Sequence, residues 1–172
     1  LSTKLSSVQS SDVKEDFGKK IHYILEGGRS QIGVESTIID ITNKPKILRL
    51  GGLEISNIKK ILNEKIVLKN NPLKISSPGQ SKVHYSPGIP MRLNVKKSKK
   101  NEAFMLITKK NKIEQNYFFL SKKGNLNEVA KNLYSTLRKI KKKKFKSIAV
   151  EKIPNKGIGR TINDRLIRAS KF

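Results

Sequence analysis

Cysteine is absent from the 172 residues, so disulfides, thiolate zinc sites and a cysteine nucleophile are excluded. Histidine is scarce: His22 and His84 stand far apart, without a flanking carboxylate cluster, and no metal ligand set is expected. No apolar run approaches the ~18 residues needed to span a bilayer, and no signal-peptide pattern opens the chain. A soluble, cytoplasmic protein without membrane contact is expected. Only 35% of residues are hydrophobic, yet apolar stretches recur along most of the chain, enough for a core.

Acidic residues are also few, 13 against 38 basic ones, for a net charge of +25. Such a balance attracts polyanions. Of the basic residues 31 are lysine and 7 arginine, beside 21 isoleucines and 14 asparagines. Lys, Ile and Asn share A/T-rich codons, and lysine is the usual residue of a solvated face. Charge alone therefore names no partner.

Along the chain, LSTKLSSVQS shows no core pattern. Ser10 or Ser11 is expected to cap a short helix that Gly18 stops. Ile21–Leu25, Ser36–Ile41 and Ile47–Leu50 read as strands, and Glu54–Leu62 as a helix. Residues 64–90 are broken by Asn70-Asn71-Pro72, Ser76-Ser77-Pro78-Gly79 and Ser86-Pro87-Gly88-Ile89-Pro90. They read as a linker with its own function. Beyond it, Met91–Val95, Ala103–Thr108, Tyr117–Leu120 and Ser147–Val150 are expected strands. Leu126 to Ile140 gives the clearest helical periodicity. A last helix follows Gly157-Ile158-Gly159, with Ile162, Leu166 and Ala169 inward and Arg160, Arg165, Arg168 and Lys171 elsewhere. This order predicts an α/β protein: an α+β piece over 1–63, a linker or lid over 64–90, and a small α/β domain over 91–172. Residues 96–146 hold 17 basic and 3 acidic side chains. Without aromatic interleaving, they are expected to be solvated or weakly RNA-binding.

Three places look chemical. In Gly33-Val34-Glu35-Ser36-Thr37 a glycine loop delivers two hydroxyls at the mouth of a strand, to hold a small ligand or to cap the loop. Arg49, inside an apolar strand, needs either an anion or an internal salt bridge. The proline-bracketed segment carrying His84 and Tyr85 is suited to a lid. No nucleophile–base–acid set assembles from these residues, and no catalytic side chain is assigned.

Together, GVESTIIDIT, ILRLGG, SPGQSKVHYSP and GIGRTINDRLIRAS resemble, in order and spacing, the threonylcarbamoyl-AMP synthases of the long, two-domain type. In that family a YrdC-like catalytic domain is linked to a small Rossmann-like α/β domain. LSTKLSS resembles the stretch after the family's Ser-Ala-Asn motif. The chain is thus expected to be a C-terminal portion, inactive alone, without the Lys-x-Arg nucleotide motif.

The resemblance implies a nucleotidyltransferase that condenses L-threonine, bicarbonate and ATP, the last with Mg²⁺, and serves tRNA modification at the adenosine beside the anticodon. It implies that Ser36 holds L-threonine, that Arg49, Tyr85 and Ser6 contact ATP, and that His84 and Tyr85 belong to the lid. Two departures stand out: Ser6-Ser7-Val8 replaces Ser-Pro-Thr, and Gln80-Ser81-Lys82-Val83 replaces Met-Lys-Tyr-Arg, so lid contacts are expected to differ. The rival expectation is a noncatalytic, basic RNA-binding protein, with double-stranded RNA or tRNA as partner. In a third, the C-terminal domain is a regulatory or docking module.

Overall fold

A computed structural model of the chain describes residues 4–70 and 75–171. Leu1–Thr3 and the break expected at Asn71-Pro72 lie outside them. Helix α1 (Ser10–Phe17) ends at Gly18 as expected, with φ at 52°. Its N-cap is Gln9 rather than a serine, and the Asp12 carboxylate reaches back to accept from the Val8 N–H at 2.9 Å. The opening stretch does contribute to the core, since Leu5 and Val8 are buried. The expected strand at Ile21–Leu25 does not form. Among the described residues no strand pairs with it, and Tyr23 and Leu25 stay exposed.

The first sheet holds β1 (Ile38–Asp40) antiparallel to β2 (Lys46–Arg49). Helix α2 (Ile55–Leu62) lays Ile58 against Ile47 and Leu50, closing a small core. Strand β3 (Val67–Leu68), from within the segment expected to be linker, adds parallel to β2.

The second sheet has the order β4 (Met91–Arg92), β7 (Ser147–Val150), β5 (Glu102–Leu106), β6 (Tyr117–Phe119), and every neighbouring pair is parallel. Asn125 caps helix α3 (Leu126–Lys142) by accepting from the N–H groups of Asn127 and Glu128. Helix α4 (Gly159–Ser170) follows β7. Strand alternation splits β5 between two faces. Ala103 and Met105, with Ile148 and Val150 of β7, share a core with Val129, Leu133 and Leu137 of α3 and Ile162 and Leu166 of α4. Phe104 and Leu106 belong to a separate cluster. This is an α/β architecture with a mixed first sheet and a parallel, Rossmann-like second sheet.

The larger core does not stop at the second sheet. Leu5, Val8, Tyr85 and Ile89 pack into it, so the opening segment and the linker rest on α3 and α4. An isolated parallel bridge also joins Lys4 to Ser86. No helix of the described residues is long and apolar enough to cross a membrane.

Candidate functional site

The site starts from a close approach between two backbones. A Cβ on Gly51 would lie 2.2 Å from Ser36 C and from Thr37 N. Only glycine lets the end of β2 press against the 33–37 loop, where the Gly52 N–H donates to Glu35 O at 2.9 Å. That contact brings Arg49 to Ser36. The guanidinium donates from Nε to the Ser36 carbonyl and from Nη2 to its Oγ, both at 3.0 Å. Nη1 donates to the Pro78 carbonyl at 3.3 Å. Arg49 is thus held by neutral oxygens, and among the described residues it has neither of its expected partners, an anion or a salt-bridge carboxylate.

The linker is tied down over this pair by two side chains. Gln80 Oε1 accepts from Ser76 and Ser77 N–H groups, while its Nε2 donates to the carbonyls of Leu48 and Lys69. From α4, Arg168 donates to the carbonyls of Asn70, Gln80 and Ser81. Gly79 sits between Tyr85 and Arg49 of the first sheet. A Cβ there would lie 2.5 Å from the Tyr85 hydroxyl and 2.9 Å from Arg49 Cδ.

Tyr85 is 1% exposed and has φ at 60°, a left-handed backbone that costs a non-glycine residue on the order of 1–3 kcal/mol. The surroundings hold it there. His84 packs against its ring at 3.9 Å, Tyr134 stacks at 5.8 Å, and the Arg165 guanidinium lies 4.6 Å above it. The Tyr85 hydroxyl and His84 Nδ1 are buried without a partner among the described residues. A buried orphan of this kind typically costs ~1–3 kcal/mol until a ligand or water satisfies it.

Behind Ser36, Glu35 collects three donors: the Ser6 hydroxyl, the Tyr134 hydroxyl at 3.0 Å and Arg165 Nε at 2.8 Å. Arg165 also donates to Leu50 O and Asp164. Ser6, Ser36, Arg49, His84 and Tyr85 therefore fall into one connected neighbourhood. Nothing in that set makes a nucleophile–base–acid relay.

Electrostatics keep this neighbourhood cationic on one side. Burial pushes the Glu35 carboxyl up, but Arg165 and the Ser6 hydroxyl outweigh it and leave the group below its ordinary range. Burial pulls Arg165 down, but Glu35, followed by Tyr134, Tyr85 and Asp164, outweighs it and raises the guanidinium, which stays charged. Burial lowers His84, and Arg165, Arg168 and Arg49 lower it further against the pull of Glu35. The imidazole is therefore neutral at physiological pH.

Sequence reasoning passed over Glu35, Gln80, Tyr134, Arg165 and Arg168. Tyr134 looked like one more apolar position of α3. Arg165 and Arg168 were read off the inward face of α4, yet they are 1% and 3% exposed. Their one signal was adjacency: Glu35 precedes Ser36, and both arginines lie inside the GIGRTINDRLIRAS motif.

Residues 53–171 match the model for the threonylcarbamoyl-AMP synthase C-terminal domain, and residues 1–51 match a family described as telomere recombination. Threonylcarbamoyl-AMP synthases of Pyrococcus abyssi and Bacillus subtilis are 29% and 27% identical, over 100% and 99% of this chain and 56% and 55% of theirs. The crystal structure of P. abyssi Sua5 complexed with L-threonine superposes with a TM-score of 0.84 at 29% identity, over 98% of this chain and 55% of that one. A variant of that protein with a consecutive histidine and tyrosine replaced by alanine gives 0.78 at 26% identity, over 98% and 54%. The chain spans about half the length of the curated relatives it matches. With a family model covering most of its residues, the chain belongs to the threonylcarbamoyl-AMP synthase family.

Proposed function

We propose that this chain forms part of an L-threonylcarbamoyladenylate synthase, joining L-threonine, bicarbonate and ATP into threonylcarbamoyl-AMP with release of pyrophosphate and water. The carrying observation is the Arg49–Ser36 pair beside the unsatisfied Tyr85 hydroxyl. A cation held only by neutral groups, next to an exposed hydroxyl and a buried orphan phenol, suits a small zwitterion meeting a phosphate ester.

In this reading Ser36 holds L-threonine, and the likeness to a structure complexed with L-threonine supports it. Arg49 and Tyr85 take the nucleotide, and His84 backs Tyr85 in the lid. Ser6 gives its proton to Glu35, so it meets a donor group of ATP, a ribose hydroxyl or the adenine amine, rather than a phosphate. The threonine amine attacks bicarbonate, and the resulting carbamate oxygen displaces pyrophosphate from the α-phosphorus. Positioning and charge stabilisation by Arg49 suffice without a protein nucleophile. Mg²⁺ is read as travelling on the substrate phosphates, which match its preference for oxygen. The product is destined for tRNA modification at the adenosine beside the anticodon.

The test is pyrophosphate release that requires both L-threonine and bicarbonate, measured on the gene product that carries this sequence. Arg49→Ala should raise the KM for ATP about ten- to a hundredfold, the loss of a charge-assisted bond worth ~1.5–3 kcal/mol. Release indifferent to L-threonine, or unchanged kinetics in Arg49→Ala, overturns the reading.

A further inference from the structure

We propose that the crevice beyond the carboxyl ends of β4 and β7 binds a nucleoside monophosphate. These strands lie side by side and parallel, but the chain leaves them toward opposite faces of the sheet. After β4 it runs to Val95, which packs with Phe104 and Leu106 on the second face. After β7 it enters α4, whose Ile162 and Leu166 pack on the first. Where neighbouring connections part in this way, an open parallel sheet leaves a crevice outside its strand ends, and ligands of such sheets bind there. In this chain the crevice is a cavity of about 280 Å³. Leu93 and Asn94 wall it from β4, Val150 and Ile153 from β7, and Leu166 from α4.

A second cavity of about 220 Å³ adjoins it, and Asn155, Asn163 and Ile167 line both. The walls of the first are mainly aliphatic, whereas Lys82, Arg160 and Lys171 border the second. Arg160 is half-buried, and among the described residues no carboxylate pairs with any of these three cations. Asp164, on the same wall, is taken up by Arg165 at 2.6 Å and Arg168 at 3.1 Å. At the junction Asn163 Nδ2 donates to the Ile153 carbonyl at 3.2 Å and to Asn155 Oδ1 at 3.4 Å. Its own Oδ1 and the Asn155 amide N–H groups have no partner among the described residues. The N-terminus of α4 is not part of the site, because Glu54 already accepts from the Ile158 N–H there at 3.0 Å.

An aliphatic slot, two carboxamides at its mouth and three unpaired cations beyond them suit a flat base, its polar edge and a phosphate, in that order. A free phosphate would leave the slot empty, and an uncharged nucleoside would leave the half-buried Arg160 without an anion. Lys82 belongs to the linker and Arg160 to α4, so a phosphate held by both joins those two segments. Among the described residues neither cavity is lined by Ser36, Arg49 or Tyr85. The inference does not rest on the synthase reading.

Calorimetry with AMP, GMP, CMP and UMP tests the proposal, on the gene product that carries this sequence with Arg49→Ala introduced to weaken nucleotide binding beside Ser36. At least one of these should bind at a single site, about tenfold or more tighter than inorganic phosphate. Arg160→Gln should weaken that binding about tenfold, the loss of one charge-assisted contact. Ile167→Glu, at an exposed position shared by the two cavities, should weaken it at least as much by setting a carboxylate beside the phosphate. Lys141→Gln, near the end of α3, should leave it unchanged, which general attraction to the +25 chain would not. Thermal midpoints of all three variants should match the parent. No binding by any of the monophosphates, affinity no better than that of inorganic phosphate, or parental affinity in Arg160→Gln or Ile167→Glu overturns the proposal.

Discussion

Arg165 Nε donates to Glu35 at 2.8 Å across 130 residues of sequence, while the same guanidinium covers the Tyr85 ring. One side chain from α4 therefore holds the residue before Ser36, the carbonyl after Arg49 and the ring of Tyr85.

Removing that side chain should be costly. Arg165→Met leaves Glu35 buried without its cation, a change expected to cost ~3–5 kcal/mol. Glu35→Gln should cost less, and the double variant should fall short of the sum of the singles. Urea denaturation of the four proteins reads the coupling, and strict additivity would contradict a direct pair.

Gly79→Ala separates binding from folding. The added methyl would strike the Tyr85 hydroxyl and Arg49 Cδ, at a glycine with φ of 88°. Ligand affinity should drop at least about tenfold while global stability falls by ~1–3 kcal/mol. Calorimetry with L-threonine and ATP beside a thermal melt checks both, and unaltered affinity would place the ligands elsewhere.

Acidification should weaken the fold in two stages. His84 binds a proton less readily in the folded protein than the ordinary imidazole value of 6.5, so stability is full above that pH and declines below it. Glu35 is depressed below 4.5, so its contribution is present above that value and is lost as pH falls through its lowered range. Thermal midpoints across pH should show both stages, with His84→Gln abolishing the first and Glu35→Gln flattening the second.

Arg168 predicts a protease phenotype. It pins three carbonyls of the linker, while Lys82 lies exposed between them and the lid. Arg168→Ala should hasten tryptic cleavage after Lys82 severalfold, and an unchanged cleavage rate would show that Gln80 alone holds the segment.

Periodicity made α3 legible, and β-branched runs made β1, β2 and β7 legible, because those signals are local. The Ile21–Leu25 stretch has the same local signal but forms no strand, since a strand needs a neighbour and none pairs with it among the described residues. The motifs drew attention to Ser36, Arg49 and Tyr85, and the fold brings Arg49 against Ser36 with Gly79 between Arg49 and Tyr85. The motifs gave no sign of the contacts of Arg165 and Tyr134, whose partner Glu35 lies 130 and 99 residues away. Buried arginines in a polar-looking helix read as surface until their carboxylate and carbonyl partners are known.

The reach of those contacts bears on synthesis. The ribosome makes Glu35 130 residues before Arg165, and Asp16 must likewise wait 122 residues for Arg138. Neither the loop bearing Ser36 nor Tyr85 can be fixed while α4 is still inside the exit tunnel. During translation the first sheet therefore emerges without its latch, and the interval before α4 arrives is when chaperones have most reason to attend to this chain.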